Sequence, residues 1–586
     1  MHDIVLSNPL IILYRGFCPC SKDRDVFKKN KHMLARRFNT PEKRFFYFMT
    51  TFLLCCIASG PLNSWVTIEP LLGELGVLGS TYNHSSSALN EVQVVGFSFG
   101  SLLSIPLGLS YDIFGPRASA AMGAVIAALG TFCMAIAISN ANLNWMLFFA
   151  YPMSSLGGSM NSMAILGFQW LMPQRQNLVN SLYGASLAIS DTIAILGVMI
   201  INSGAITLQT FFIIIGSVSL VIAILTYFGA PSKAENALHY ILVSEDAAEN
   251  QREKSNYDSI DAPQEHCDIL LHDSVENSDS NLTDGKRDTA ARINEAASTV
   301  ADTNTCCELC KQSWAGITGT VRVFKRFPVP LILSQLFICM IYWSSFYPMA
   351  SMYNYYVALL GLEDAVALVD AFSVIYGITG SLFTILAGWV CDRIGIVKFL
   401  RYTTCLVILT ASLQMAPNFA VQLLWLTLWT MCFNLFLIIY IRLSMHYAPM
   451  EYFGAFQGAM GTLMVIPQLV GSGALRTYLS KKYGNSVEQY TYAYIPLNII
   501  TIVIGIALSI YWMKYPPPNV GDVVEGENGK IYASQDEMKA DLSRMPLING
   551  ERVLYNVDDI KGSDSEHSMY DKIVEDGAII SEETFF

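Results

Sequence analysis

Long apolar runs recur along most of the chain and give the first prediction about its fold. A helix needs about 20 mostly apolar residues to cross a bilayer, and the sequence offers windows of that size at twelve places. Transmembrane strands need only about 10 residues of alternating polarity, so strands do not account for these runs. The pattern predicts an all-α polytopic membrane protein with twelve transmembrane helices. The predicted spans are 45–66, 92–111, 118–138, 144–168, 178–202, 206–229, 328–350, 365–390, 399–416, 419–441, 453–474 and 491–514.

Polar segments divide the chain into five parts. Residues 1–44 contain ten Lys or Arg residues and no apolar run before a cleavage site, which is typical of a cytosolic tail rather than a signal peptide. Residues 230–326 hold seventeen acidic and ten basic residues, and residues 515–586 are acidic again. Such compositions predict disordered segments, here on the cytosolic side. Two bundles of six helices, 45–229 and 327–514, remain between them.

Composition excludes several classes of protein. Charged residues make up only 14% of the chain and hydrophobic residues 53%, whereas a soluble protein carries about a quarter charged residues. The net charge of −12 argues against a nucleic-acid partner, which needs a basic footprint. Cys306, Cys307 and Cys310 lack a nearby histidine to complete a four-ligand metal site, so S-palmitoylation is the alternative. No cofactor, metal or enzymatic activity is expected.

Lysine and arginine are unevenly distributed between the loops of the two membrane sides. Segments 67–91 and 351–364 contain none, whereas the loops of the other side carry Arg117 and Arg393. Because cytosolic loops are enriched in these residues, both termini are predicted to be cytosolic, and we expect a plasma-membrane location. Asn83 begins a glycosylation sequon on the external side and is a predicted modification site.

One short motif occurs at the same place in each predicted half, with its positions shifted by 280 residues. Glycines of the motif permit close helix approach and a tight turn. Its aspartates can be stabilised by the N-terminus of a neighbouring helix or by a cation, and its arginines can pair with carboxylates or lipid phosphates. A simple interfacial turn is the alternative. The motif residues are Gly108, Asp112, Gly115 and Arg117 in the first copy, and Gly388, Asp392, Arg393 and Gly395 in the second.

These copies resemble the loop 2–3 motif of the major facilitator superfamily, which acts there as a conformational latch. The resemblance implies two pseudo-symmetric six-helix bundles and transport by alternating access. In the first copy Ile113 follows Asp112 where a basic residue is common, and Gly115–Arg117 instead resembles the large-neutral-amino-acid facilitators of that superfamily. Segments Ser59–Trp65 and Glu69–Leu72 are similar to a signature of those facilitators and of apicomplexan amino-acid transporters.

The resemblance further implies a substrate cavity lined by spans 1, 4, 7 and 10. Pro61 breaks span 1 and frees backbone groups near residues 57–59, and a half-helix end there with loose N–H groups could hold a substrate carboxylate; close helix packing is the alternative. Arg442 lies near the cytosolic end of span 10 and is interpreted as a headgroup anchor. The candidate contacts are Thr51, Ser59, Gly60 and Asn63 in span 1, Asn161 in span 4, Tyr342 and Ser345 in span 7, and Thr430 and Asn434 in span 10.

Asp191 is an ionisable residue about thirteen positions into span 5. A charge at that depth costs at least ~2.5 kcal/mol on insertion scales, so the side chain is expected to face a cavity or a partner. It could balance the ammonium group of a substrate or take part in proton coupling. A structural pair with a polar neighbour is the alternative.

These features together predict a carrier for neutral or cationic amino acids, either facilitated or coupled to a proton. The expected partners are a small-molecule substrate and the lipid bilayer. One alternative is a carrier of another small solute, such as a monocarboxylate or a drug. A non-transporting membrane receptor or scaffold is the other.

Overall fold

The fold is that of a computed structural model of the 586-residue chain. Helices dominate the residues that the structure describes, and these residues also contain four two-residue strands after residue 514. The structure describes residues 38, 40–58, 65–79, 87–172, 175–233, 235–236, 306–349, 351–484, 486–526, 530–534, 537–538, 540–541, 547–548 and 551–552.

Seven α-helices form the first half of the bundle. Three 3₁₀ turns, Val77–Gly79, Ala141–Met146 and Gly167–Gln169, connect some of them. The α-helices are α1 (Pro41–Ala58), α2 (Trp65–Glu74), α3 (Ser87–Leu102), α4 (Ser104–Ser139), α5 (Leu147–Leu166), α6 (Gln176–Asn202) and α7 (Leu208–Gly229).

The second half follows a separate helix, α8 (Cys306–Arg326). Two π-helical stretches, Ile375–Thr379 and Pro467–Leu475, interrupt its α-helices. A 3₁₀ turn, Met450–Tyr452, directly precedes the α-helix that begins at Phe453. The α-helices are α9 (Pro328–Met349), α10 (Met352–Leu360), α11 (Leu362–Val374), α12 (Gly380–Ile394), α13 (Ile396–Leu413), α14 (Phe419–Tyr447), α15 (Phe453–Thr462), α16 (Arg476–Tyr483) and α17 (Val487–Lys514).

Both halves contain helices that are long and apolar enough to cross a membrane. Within the described ranges, nine helical runs are long and apolar enough to cross a membrane. One of them, α4, is bent at Gly115, where the backbone has φ 80° and ψ 167°. Its part before Gly115 continues α3 and ends predicted span 2, while its part after Gly115 forms span 3. The turn between two spans therefore lies inside one continuous helical run.

Apolar packing forms a core in each half and a third core between the halves. Within the second half, α14 is the central helix, and most of its residues are buried. The third core lies where Phe453 of α15 meets the first half, with ring centroids 5.9 Å from Trp170 and 6.2 Å from Tyr111. Ile441 and Met445 of α14 belong to the same core. The two halves thus share buried apolar surface at this end of the bundle.

The polar segments contain more structure than their composition predicts. Cys306–Arg326 is helical, although it lies in the predicted disordered loop 230–326. Its buried Val323 packs into the core of the second half, and the average over a long acidic segment hides this short amphipathic stretch. After the last helix, β1 (Val524–Glu525) pairs antiparallel with β2 (Ile531–Tyr532), and β3 (Leu547–Ile548) pairs with β4 (Glu551–Arg552). Disorder is therefore the wrong description for parts of 515–586, because the side chain of Tyr532 is only 1% exposed.

Candidate functional site

The aspartate of the first motif copy caps a helix of the opposite half. The Asp112 carboxylate accepts hydrogen bonds from the backbone N–H groups of Gly454 and Ala455, at 2.7 and 2.6 Å. These are the second and third residues of α15, whose N-cap residue, Tyr452, makes no side-chain capping bond. An N-cap side chain normally satisfies the same two N–H groups. Asp112 therefore supplies from the first half the cap that α15 lacks.

The second motif copy repeats this arrangement with the halves exchanged. The Asp392 carboxylate accepts from the N–H groups of Asn177 and Leu178, both at 3.1 Å. These are again the second and third residues of their helix, α6, and its N-cap residue Arg175 makes no side-chain capping bond. Asp392 is exposed, whereas Asp112 is partly buried. Each half thus caps one helix of the other, and the first cap is the better shielded from water.

The glycines of both copies lie at close contacts or sharp turns. A Cβ on Gly108 would lie 1.9 Å from the carbonyl oxygen of Gly454. A Cβ on Gly388 would lie 2.2 Å from Oγ of Ser181. Gly115 and Gly395 have φ of 80° and 78°, which side chains disfavour. We call the end of the bundle that carries these contacts the motif end.

Cations near the motif bind mainly backbone and aromatic groups. Arg117 donates to the carbonyl of Tyr227 and lies 4.4 Å from its ring centroid, and Arg393 lies 3.9 Å from the Trp389 ring centroid. Lys233 donates to the carbonyl oxygen of Asp112 at 2.5 Å. Burial lowers the pKa of Lys233, and the neighbouring Asp112 counteracts part of that effect.

Arg442 joins the two halves beside the second cap. Its Nη1 donates to Oε1 of Gln176 at 3.0 Å, and it interacts electrostatically with Asp392. Gln176 is buried and opens α6. The interpretation of Arg442 as a headgroup anchor is therefore wrong, because its guanidinium binds the opposite half.

Candidate substrate contacts of the first half are buried within that half. Thr51 is buried, and its hydroxyl lies 3.3 Å from the position that a Cβ on Gly229 of α7 would take. The Asn161 amide donates to the carbonyl oxygen of Ala120 at 2.9 Å, so its nitrogen binds α4. Side-chain oxygens of Thr51 and Asn161 are buried without a hydrogen-bond partner among the described residues.

Candidate contacts of the second half are also buried, and their described hydrogen bonds stay within it. Tyr342 accepts a hydrogen bond from Nε2 of Gln468, in the second π-helix, at 2.7 Å. Asn434 donates to the carbonyl oxygen of Thr430 at 2.9 Å, and Ser345 is buried on α9. The structure therefore does not bring the candidates of the two halves together through hydrogen bonds in its described part.

Other candidates lie outside what the structure describes. Ser59, Gly60 and Asn63 fall in the gap between α1 and α2, and Asn83 falls in the gap before α3. Asp191 belongs to α6, but its side chain is outside the described part. Their predicted roles stay predictions.

A polar cluster that the sequence did not indicate lies between the halves. Tyr440 donates to the carbonyl oxygen of Gln457 at 2.5 Å and packs against the apolar core that includes Tyr183 of the first half. Gln335 donates to the carbonyl oxygen of Met460 at 2.9 Å. Side-chain oxygens of Gln335 and Gln457 are buried and have no partner in the described ranges. We call Tyr183, Gln335, Tyr440 and Gln457 the central polar cluster. In the sequence, the glutamines Gln335 and Gln457 inside apolar spans could have indicated this cluster.

Comparison with known proteins places this geometry in a family. A model described as Major Facilitator Superfamily matches residues 44–472, whereas the search of curated proteins found no match. The proton:xylose symporter XylE bound to 6-bromo-6-deoxy-D-glucose is 13% identical, with a TM-score of 0.51, covering 85% of this chain and 99% of that chain. A double-tryptophan variant of XylE gives 12% identity and a TM-score of 0.53, covering 82% and 97%. The human organic anion transporter MFSD10 (TETRAN) is 14% identical, with a TM-score of 0.48, covering 80% of this chain and 100% of that chain.

The two XylE likenesses concern the fold, and they agree with the family model, which matches residues 44–472. The predicted all-α polytopic fold is confirmed. The narrower likeness to amino-acid facilitators stays a prediction. This chain belongs to the Major Facilitator Superfamily, whose members are multi-pass membrane transporters of small solutes.

Proposed function

We propose that this transporter moves neutral or cationic amino acids across the plasma membrane by alternating access, with both termini in the cytosol. The observation that carries the mechanism is the pair of reciprocal caps, in which Asp112 and Asp392 each bind the N-terminus of a helix in the opposite half. The substrate class rests on the sequence resemblance of Ser59–Trp65 and Gly115–Arg117 to amino-acid facilitators.

The reciprocal caps suit a latch that holds the motif end closed. A carboxylate at a helix N-terminus contributes about 0.3–1 kcal/mol when exposed and up to ~2 kcal/mol when partly buried. Opening the motif end would break both caps and the Arg442–Gln176 bond, because all three join the two halves. These polar contacts amount to a few kcal/mol, and the apolar contacts of Phe453 with Trp170 and Tyr111 add to what substrate binding would have to offset.

The central polar cluster is the proposed substrate site. An ammonium group is a donor without acceptors, and the unpaired side-chain oxygens of Gln335 and Gln457 are acceptors that could receive it. The substrate carboxylate would bind loose N–H groups at the helix break that Pro61 predicts in span 1. Asp191 would balance a cationic side chain or carry a coupling proton.

Uptake by proteoliposomes tests this function. We expect saturable uptake of at least one labelled proteinogenic amino acid, inhibited by the same unlabelled amino acid and not by a hexose or an organic anion. Collapsing the pH gradient should reduce uptake if transport is coupled to a proton and should leave it unchanged if transport is facilitated. Saturable flux of a hexose, a monocarboxylate or a drug instead would show a carrier with a different substrate class. Absence of any saturable flux would favour the receptor or scaffold alternative.

Asp191→Asn tests the role of the intramembrane carboxylate in the same assay. We expect uptake or its pH dependence to be lost. Glu363→Gln, at an exposed residue in the first turn of α11, is the matched control and should transport like the wild type. Unchanged kinetics in Asp191→Asn would remove that residue from the mechanism without contradicting the uptake result.

A further inference from the structure

Helix α8 crosses the motif end at nearly constant depth. A Cβ on Gly316 would lie 3.0 Å from Leu109 of α4, and one on Gly319 would lie 2.7 Å from the ring of Tyr452. The ring of Phe324 lies 5.4 Å from that of Phe456. Tyr452 and Phe456 are only one helical turn apart, about 6 Å along the axis. Because α8 contacts one level of the bundle along about two of its own turns, it lies across the helix ends and does not extend one of them outward.

A second face of α8 binds the chain that follows the last helix. Arg322 forms an ion pair with Glu525 of β1, and Tyr452 donates to the same carboxylate. Arg326 pairs with Glu537 at 2.6 Å. These contacts occupy one flank of α8 and use two of its arginines.

A third face of α8 is apolar and open to the surroundings. Trp314, Ile317 and Val321 follow one another at spacings of three and four, so they lie in one stripe. Trp314 is 67% exposed and Val321 46% exposed. Lys311 and Lys325 are exposed at the two ends of this stripe, three positions before Trp314 and four after Val321. An exposed apolar stripe flanked by basic residues is the pattern of helices that lie in the membrane interface.

The position of α8 in the chain identifies what covers this stripe. Only Phe327 separates α8 from α9, a helix long and apolar enough to cross a membrane. The first turns of α9 expose Val329 and Ile332, each 56% exposed, so the exposed apolar surface continues from α8 onto a membrane-crossing helix. The α8 contacts at Tyr452 and Phe456 also lie at the very start of a crossing run, Met450–Tyr483. The stripe therefore lies at the level where the bilayer ends.

We propose that α8 lies in the membrane interface, with Trp314, Ile317 and Val321 among the upper acyl chains and with Lys311 and Lys325 at anionic phospholipid head groups. Tryptophan prefers this level because its ring is apolar and its N–H is polar. Lysine near an anionic leaflet is attracted by the surface potential. The partner is thus a lipid surface, which the helix binds while its other two faces hold the bundle and the C-terminal segment.

Quenching by brominated phospholipids tests the depth of the stripe. The full-length protein is reconstituted into phosphatidylcholine vesicles whose bromines lie either near the glycerol backbone or near the acyl-chain ends. The emission of Trp314 is obtained as the difference between the wild type and Trp314→Phe. We expect strong quenching by the shallow bromines and weaker quenching by the deep ones. Trp65→Phe is the control, because Trp65 is buried and its difference emission should be unquenched.

Three results bear on this proposal. Absence of Trp314 quenching at both depths would overturn the proposal. A Trp314 emission that changes with protein concentration would also overturn it, because it would indicate that a second copy of the chain covers the stripe. In a second experiment, phosphatidylglycerol added to phosphatidylcholine vesicles should raise the thermal midpoint of the wild type. Lys311→Gln with Lys325→Gln should lose that increase, and the exposed control Lys482→Gln should keep it. A lipid-dependent increase that persists in the double variant would overturn the headgroup assignment.

Discussion

Replacing Asp112 by asparagine changes one atom and removes the charge of the better-shielded cap. The variant keeps the size of the side chain, but the two charge-assisted bonds to Gly454 and Ala455, at 2.7 and 2.6 Å, become at most one neutral bond to an amide oxygen. Hydrogen bonds to charged groups contribute about 1.5–3 kcal/mol, and N-caps contribute about 0.5–2 kcal/mol.

We therefore expect Asp112→Asn to weaken the closed state of the motif end by about 2 kcal/mol, which is roughly a thirtyfold change in the closed-to-open ratio. Asp392 is exposed, and solvent screening reduces the strength of its cap, so Asp392→Asn should cost about 1 kcal/mol or less. The order of the two effects follows from burial and from the longer bonds of the second cap, which measure 3.1 Å against 2.7 and 2.6 Å in the first.

Single-molecule energy transfer across the motif end measures this ratio. Fluorophores are introduced at Phe114 in the first half and Lys398 in the second, both exposed, by genetically encoded reactive residues, so that the native cysteines stay in place. The low-transfer population should grow in Asp112→Asn and less in Asp392→Asn. Identical populations in the wild type and both variants, or a larger effect at Asp392, would contradict the proposed stabilisation of the closed state by the buried cap.

Three further predictions concern the same end and the central cluster. Gly108→Ala should abolish uptake, because its Cβ would lie 1.9 Å from the Gly454 carbonyl oxygen, whereas Gly100→Ala has open space and should transport normally. Gln457→Leu should raise the substrate KM at least tenfold without lowering the thermal midpoint, measured by uptake and by tryptophan fluorescence; an unchanged KM would exclude it as a ligand. Glu525→Gln should release β1 from α8, seen as faster hydrogen exchange in 520–526; unchanged exchange would show that the ion pair is dispensable.

Periodicity and repetition were enough to predict the fold. Twelve apolar runs and two motif copies 280 residues apart predict two matching halves, because membrane-crossing helices must satisfy their own backbone and so leave a plain apolar signature. Positive φ at Gly115 and Gly395 also follows from the sequence, since a tight turn favours glycine. The membrane-crossing helices and the glycine turns were predictable because each depends on residues that are close together in the sequence.

The sequence predicts a helix N-terminus or a cation as the partner of the motif aspartates, but it does not indicate which distant helices they contact. The N–H groups that Asp112 and Asp392 bind belong to the backbone, and the residues there, Gly454 and Asn177 among them, carry no capping signal. Helix α8 was hidden because its amphipathic pattern is short and lies inside an acidic segment. The amide nitrogen of Asn161, on expected span 4, donates to the carbonyl oxygen of Ala120 within the first half, a contact that the sequence did not indicate.

During transport the two halves are proposed to exchange between motif-end-closed and motif-end-open states. Energy transfer recorded simultaneously across the motif end and across the opposite end, in wild-type protein exposed to a transported amino acid, measures this exchange. We expect two populations whose distances change in opposite senses at the two ends, with exchange that depends on substrate. A single fixed distance at the motif end, in protein that transports, would contradict it.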